Sequence, residues 1–314
     1  MRSSRLSTFA LALAASLAAC GLEVVGGMSD EAGPGGGPRS SPSDNGQGGS
    51  NDTDDASADG AEASSNANDA ASEAEAAPRP GTALRFSSNS YVEIGALDIP
   101  ASFTLEAWVR PNKLGNERHI VAKARNEEEK GQFRLGHDSN GRLFFMMSDA
   151  NGEDRGLHDD DDDDDGGYAL LAPNPLPLAT WSHVAVTKSG ADFALYIDGV
   201  AVRTFTTSAV LTYGGPSIPF RIGARVAASG SGAQGGFDGD IDEVRLWSIT
   251  RTPGEIAAAR SAPLLPTAPT APGYASLVAY YRFDEGTGTT TTPTVGTLAG
   301  SLKSSPTWVP ATWP

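Results

Sequence analysis

The chain holds one cysteine in 314 residues, so it closes no disulfide within itself and builds no cysteine-based zinc site. Its 4 histidines, at 119, 137, 158 and 183, stand apart, with no His-x-x-x-His pair and no Ser-His-Asp signature. Asp and Glu outnumber Lys and Arg by 39 to 23, the formal charge is −16, and no basic face is clustered, which argues against a nucleic-acid partner. Aromatic residues are missing altogether from 21–80: after Phe9, the next is Phe86. A stretch without them has little to set against chain entropy and is expected to stay unfolded. The foldable part is thereby confined to residues 81–314, a size that suits a single all-β domain.

What is present begins with an export signal. Met1-Arg2-Ser3-Ser4-Arg5 is a basic start, and the apolar run from Leu6 to Ala19 is too short to span a bilayer comfortably and ends in small residues. Its end, Leu17-Ala18-Ala19-Cys20, resembles the bacterial lipobox, in which the cysteine is diacylated and becomes the first mature residue. That resemblance implies a lipoprotein signal peptide over 1–19 and a membrane anchor at Cys20; the alternative is an ordinary signal peptide with an incidental cysteine. Acyl chains worth about 0.8 kcal/mol per buried methylene would hold such an anchor firmly. Lipoprotein sorting uses Asp after the cysteine for inner-membrane retention, and Gly21 stands there, so the resemblance implies export to the outer membrane or cell surface.

Residues 20–80 read as a disordered acidic linker, with runs such as Gly33-Pro34-Gly35-Gly36-Gly37-Pro38 and Asn51-Asp52-Thr53-Asp54-Asp55. A flexible chain of this length reaches about 40–45 Å, and its excess negative charge extends it further. Asp44, Asp52, Asp54 and Asp55 lack the glycine turn and the glutamate that would complete a calcium loop.

After residue 80 the sequence becomes a series of short strands. Phe103, Leu105, Ala107 and Val109 alternate with Thr104, Glu106, Trp108 and Arg110, the pattern of a half-buried strand. Similar runs occur at Ala83–Phe86, Tyr91–Ile94, His119–Ala122, Gln132–Gly136, Leu143–Met147, Trp181–Thr187, Phe193–Ile197, Val200–Phe205, Phe220–Ile222, Ile241–Trp247 and Leu277–Phe283, with turn-forming residues between nearly all of them. Asp198-Gly199 supplies the two positive-φ positions of a type I′ hairpin turn between Ile197 and Val200. One short helix is signalled by Thr252-Pro253-Gly254-Glu255, which offers an N-cap, a proline at the first helical position and a capping-box glutamate. Many short strands without βα alternation predict two antiparallel sheets packed as a sandwich, a jelly roll.

Six ordered segments carry a family resemblance: Ala83-Leu84-Arg85-Phe86, Tyr91-Val92-Glu93-Ile94, Phe103-Thr104-Leu105-Glu106-Ala107-Trp108-Val109, Trp181-Ser182-His183-Val184-Ala185-Val186, Leu195-Tyr196-Ile197-Asp198-Gly199 and Gly239-Asp240-Ile241-Asp242-Glu243-Val244-Arg245-Leu246-Trp247. They resemble the laminin-G-like, concanavalin A-like jelly rolls of bacterial secreted proteins, across nearly all of 81–314. Leu277–Thr289, with Phe283-Asp284-Glu285-Gly286 at its centre, resembles the segment that usually opens such a domain. Coming last here, it is expected to close this jelly roll and not to begin a second repeat.

Fold alone assigns no chemistry, so candidate sites rest on particular residues. Asp238, Asp240 and Asp242 alternate along one strand, where carboxylates two apart point the same way and can converge on a hard cation. An EF-hand is excluded, since Glu243 and Ile249 stand where the glycine and the last glutamate would be required. In the resembled family the aspartate matching Asp242 often helps to hold a structural calcium, together with a Gly-Asn-type loop after the Phe-Asp-Glu-Gly segment. The chain departs from that loop, reading Thr290-Thr291-Thr292-Pro293-Thr294-Val295-Gly296, and Asp240 and Asp242 are left as the candidate calcium ligands, a solvated or arginine-paired role being the alternative. The same spacing loosely resembles the catalytic carboxylates of concanavalin A-like glycoside hydrolases, but both outer positions there are Glu, and here they are the shorter Asp238 and Asp242.

Asp159–Asp165 is an unbroken aspartate run that cannot pair internally; it predicts an exposed loop, able at most to collect calcium weakly or meet a basic partner. Trp108, Trp181 and Trp247 suit a sugar-stacking platform by chemistry, although in the resembled family matching residues mostly pack the sandwich. His183, in an alternating strand, is expected to be packed or hydrogen-bonded. These readings converge on a lipid-anchored surface protein that displays a non-catalytic binding module for an extracellular glycan or protein ligand. A glycoside hydrolase or lyase and a structural envelope protein are the alternatives.

Overall fold

The computed structural model describes residues 81–87, 89–125, 132–148, 170–207, 218–261, 263–264 and 271–314. Cys20, the 20–80 linker, His158 and the Asp159–Asp165 run lie outside the described residues. The chain folds as a sandwich of two eight-stranded antiparallel sheets.

The first sheet is built from β1 (Gly81–Phe86), β3 (Phe103–Pro111), β8 (Ser182–Ser189), β9 (Asp192–Ile197), β10 (Val200–Thr206), β14 (Gly239–Trp247), β15 (Leu277–Tyr281) and β18 (Thr307–Ala311). Its order is β10-β9-β8-β3-β14-β1-β18, with β15 also on β14. The second sheet runs β16-β17-β2-β11-β4-β5-β6-β7. Its members are β2 (Tyr91–Gly95), β4 (Arg118–Lys123), β5 (Phe133–His137), β6 (Arg142–Met147), β7 (Leu170–Pro175), β11 (Phe220–Ile222), β16 (Thr290–Thr291) and β17 (Gly300–Lys303). A small hairpin, β12 (Arg225–Val226) with β13 (Ala233–Gln234), stands beside them.

Alternation fills the space between the sheets. Phe103, Leu105, Ala107 and Val109 of β3 meet Phe133, Leu135, Phe145 and Phe220 of the opposite sheet in one continuous apolar core. The β9–β10 hairpin turns at Asp198 and Gly199, with φ of 52° and 80°, and pairs Ile197 with Val200, as the Asp-Gly sequence requires. Gly199 is also needed for contact: a Cβ there would lie 2.8 Å from Cβ of Ala257 in the helix α1 (Pro253–Arg260). That helix carries the full capping box, Thr252 Oγ1 accepting from Glu255 N while Thr252 N donates to the Glu255 carboxylate.

The final strands close the sandwich on its first ones: β18 pairs with β1, placing Trp308 opposite Leu84, and β17 pairs with β2, placing Leu302 opposite Val92. The segment after Leu277 therefore completes one jelly roll, as expected. One expectation is corrected. Strand β3 is not half-buried, because Thr104, Glu106 and Trp108 on its second face are as inaccessible as the core face. The outer surface of the first sheet is covered by α1, by Ile249, Arg251 and Leu264, and by Trp313, which arrive from far along the chain and bring their own polar partners.

Candidate functional site

Strand β14 carries the carboxylates singled out in the sequence, and a bulge decides where they point. Gly239–Ile241 pairs with β1, Val244–Trp247 pairs with β15, and between them the register on β3 shifts, with Glu243 at φ 53°. Asp240, fully buried, is held by two arginines: Arg85 Nε donates at 2.7 Å and Arg110 Nε at 2.7 Å, to opposite carboxylate oxygens. Asp242 accepts from Trp313 Nε1 at 2.9 Å and from Glu243 N at 2.9 Å. Burial, with the charge of Glu243 beside it, pushes the Asp242 carboxyl well above the usual carboxylate range. Asp240 and Asp242 thus have separate partners in place of a shared centre, and among the described residues no group of three or more His, Cys, Asp and Glu side chains is arranged to hold a metal ion.

Beneath α1 lies a second set of charges. Glu106 accepts from Arg251 Nη1 at 2.5 Å, Arg245 Nη2 donates to Glu243 at 2.5 Å, and the Tyr280 hydroxyl donates to the same Glu243 oxygen. Burial opposes ionisation of Glu106, yet the neighbouring His183 ring and the Arg251 and Arg245 guanidiniums hold its carboxyl down to about 2. Burial lowers His183 as well, so near neutral pH the charge that Glu106 meets is that of the arginines. His183 packs edge-on against Trp108 at 5.4 Å, the packed role expected of it. These groups are almost wholly buried, Glu243 also bordering a small cavity beside Asp242, Arg282 and Asp284, and through Arg245 and Arg251 they fasten α1 to the sheet.

The three tryptophans offer no exposed platform. Trp108 stacks on Trp313 with ring centroids 5.3 Å apart and donates its Nε1–H to Arg260 O. Trp181 lies beneath Arg110 at 5.0 Å, and Trp247 beneath Arg251 at 4.2 Å. Their packing is on the outside of the first sheet, under the covering segments.

The roomiest of the polar concavities found among the described residues lies where the β3–β4 connection meets the β12–β13 hairpin. A cleft of about 600 Å³ is lined by Lys113, Asn116 and Glu117 from the connection, by Arg118 and His119 at the start of β4, and by Arg225 and Gln234 of the hairpin. Gly235 and Gly236 form its floor: His119 N donates to Gly235 O at 2.8 Å, the His119 Nδ1 lies 3.0 Å from the same oxygen, and Arg118 Nη1 donates to Gly236 O at 2.7 Å. Gly235 sits at φ 59°, and a Cβ there would come within 2.3 Å of His119 Nδ1. His119 Nε2 is 3.0 Å from Glu117, which also lies 3.6 Å from Arg134. Burial lowers the His119 pKa against the pull of Glu117. Sequence reading missed this cleft. Its two walls are more than a hundred residues apart, and the only local hint was a polar Lys113–His119 connection between two strands.

The comparisons with known proteins agree with the architecture. A family model described as the concanavalin A-like lectin/glucanases superfamily, of laminin G type, matches residues 86–257, more than half of the chain. No curated protein sequence matches it. Among solved structures, a provisionally assigned carbohydrate binding protein from Bacteroides ovatus superposes with a TM-score of 0.54 at 20% identity, covering 74% of this chain and 61% of that one. The heptameric SAP-like pentraxin of Limulus polyphemus (TM-score 0.41, 17% identity) covers 56% of this chain and 80% of its own. The CBM40 of the Ruminococcus gnavus IT-sialidase (TM-score 0.41, 12% identity) covers 57% and 97%. The chain thus spans about three fifths of the Bacteroides ovatus protein. With two antiparallel sheets in jelly-roll order and a matching model over most of the folded part, the chain belongs to the laminin G branch of the concanavalin A-like lectin/glucanases superfamily.

Proposed function

We propose that the protein is a carbohydrate-binding module without catalysis, carried on a lipid anchor at Cys20 and an acidic tether at the outer membrane or cell surface. The observation that carries the binding role is the cleft between the β3–β4 connection and the β12–β13 hairpin. About 600 Å³ is room for one or two sugar rings, and the walls present amide, guanidinium, ammonium and carboxylate groups with backbone carbonyls between them, a set suited to a polyol. The Bacteroides ovatus protein, which shares the fold, is provisionally assigned to the same class of ligand.

The non-catalytic reading is supported by the fate of the β14 carboxylates. A hydrolase needs two carboxyl groups facing a substrate, about 5–5.5 Å apart for retention or about 6.5–9.5 Å for inversion. Asp240 is clamped between Arg85 and Arg110, and Asp242 is covered by Trp313. Anchoring is supported by the sequence alone, through the run that ends at Cys20.

A glycan array probed with the full chain tests this reading, with a reducing-end assay on every glycan that binds. Retention of at least one glycan without release of reducing ends supports it. Retention of none, or release of new ends, overturns it.

A further inference from the structure

Among the described residues Arg118 is a buried cation with no carboxylate in an ion pair with it. It is 5% exposed, its side chain makes a single hydrogen bond, from Nη1 to the carbonyl of Gly236, and its Nε is buried with no acceptor. The neighbouring carboxylates are engaged elsewhere: Glu117 with His119 and Arg134, and Asp138 with Arg142 at 2.9 Å. A guanidinium removed from water and left unpaired is costly, and a protein retains one where something else completes it. Here Arg118 is one of the residues lining the open cleft, and Lys113 stands exposed on the same wall. The lining residues bear three cations, Lys113, Arg118 and Arg225, against the one carboxylate of Glu117, on a chain whose formal charge is −16. A local excess of positive charge inside a cleft of an acidic protein focuses anions there.

From this geometry we infer that the cleft selects sugars bearing an oxyanion, with Arg118 as the seat of the charged group and Lys113 at its rim. This rests on the carbohydrate reading above and narrows it to one class of ligand, the acidic glycans. A planar carboxylate matches the fork of a guanidinium, two parallel N–H donors meeting two oxygens, in a way that an ammonium does not. The sugar hydroxyls then fall to Asn116 and Gln234, whose side chains are exposed along the same cleft. A sulfate ester offers the same charge with a different shape, so carboxylate and sulfate are two forms of one recognised chemistry.

The test uses the full chain and matched pairs of oligosaccharides: glucuronate-terminated against glucose-terminated, methyl-esterified against free galacturonate trimer, and 6-sulfated against plain galactose-terminated. Free acids or sulfates should bind at least tenfold more tightly than their neutral partners, and the preference should shrink as sodium chloride rises from 50 to 500 mM. A gain with uronates alone assigns the seat to carboxylate; a gain with the sulfated sugar alone assigns it to sulfate. Lys113→Ala, at an exposed position, should weaken the charged sugar several-fold more than the neutral one. Arg118→Lys keeps the charge, loses the fork, and should abolish most of the uronate preference while the melting temperature shows the fold intact. Should that variant unfold, the Lys113→Ala and salt results still decide. Equal binding of charged and neutral partners overturns the acidic preference and leaves the carbohydrate reading standing; binding of neither overturns both.

Discussion

Trp313 lies flat on Trp108, ring centroids 5.3 Å apart and planes 16° from parallel, and its Nε1–H reaches Asp242 at 2.9 Å. That one side chain caps an aromatic cluster on the outside of the first sheet and covers a carboxyl that burial keeps protonated well above the ordinary range. It explains how a strand face carrying Glu106 and Trp108 can be buried on the side away from the sandwich core.

Trp313→Ala should therefore cost about 3–5 kcal/mol, the usual range for deleting a large buried aromatic. Urea denaturation of the full chain reads it as a lower midpoint with an unchanged slope. A shift below about 1 kcal/mol would show that the outer cluster closes without it.

Glu106 gives a pH dependence of known sign. Its folded pKa, about 2, lies below the ordinary 4.5, so its contribution to stability is fully present above pH 4.5 and is lost as pH falls from 4.5 toward 2. Glu106→Gln should remove that acid limb and, by taking the paired carboxylate from buried Arg251, cost about 3–5 kcal/mol at pH 7. Denaturation midpoints of parent and variant across pH 2–7 check both; parallel curves would place the acid sensitivity elsewhere.

How much of this was legible in the sequence depends on how local the determinants are. The inward face of β3, the Asp198-Gly199 turn and the Thr252 capping box each lie within a few residues, and each was readable. The outward face of β3 was misread as solvent-facing because its cover, Arg251 and Trp313, comes from about 145 and 205 residues away and obeys no period that β3 displays. Strands β16 to β18 went unnoticed for a related reason: they are short, two of them rich in Thr or Gly, and Pro310 interrupts the alternation in β18. The cleft was invisible because Arg118 and Gly236 become neighbours only when β4 and the β12–β13 hairpin dock. In the site itself the aspartate alternation was plain, but sequence showed neither the bulge at Glu243 nor the arginines on Asp240.

Calcium bears on Asp240 and Asp242 directly. With Asp240 clamped by two guanidiniums and Asp242 taken up by Trp313 Nε1 and Glu243 N, the melting temperature is expected to be the same in millimolar calcium and in chelator. A rise of several degrees, lost in Asp242→Asn, would return a structural cation to this strand, since a ligand at a hundredfold its Kd adds about 2.7 kcal/mol to the folded state.

Cys20→Ser should release the protein from membranes if the lipobox reading holds. Fractionation after a salt wash checks it, and retention of the variant in the membrane pellet would contradict the anchor.

Gly235→Ala probes the cleft floor. The added methyl meets His119 and the backbone sits at φ 59°, so displacement of the floor should reduce glycan affinity tenfold or more, at a stability cost of about 1–3 kcal/mol. Array binding and a melting curve on one preparation separate the two effects.

The central claim, sugar recognition in this cleft, is tested most directly by titrating the best array ligand into the full chain and into Gln234→Trp, a bulky substitution at an exposed position on the wall. A saturable heat with the parent and none with the variant, at equal melting temperatures, is the predicted result; undiminished binding to the variant would contradict the assignment of this cleft.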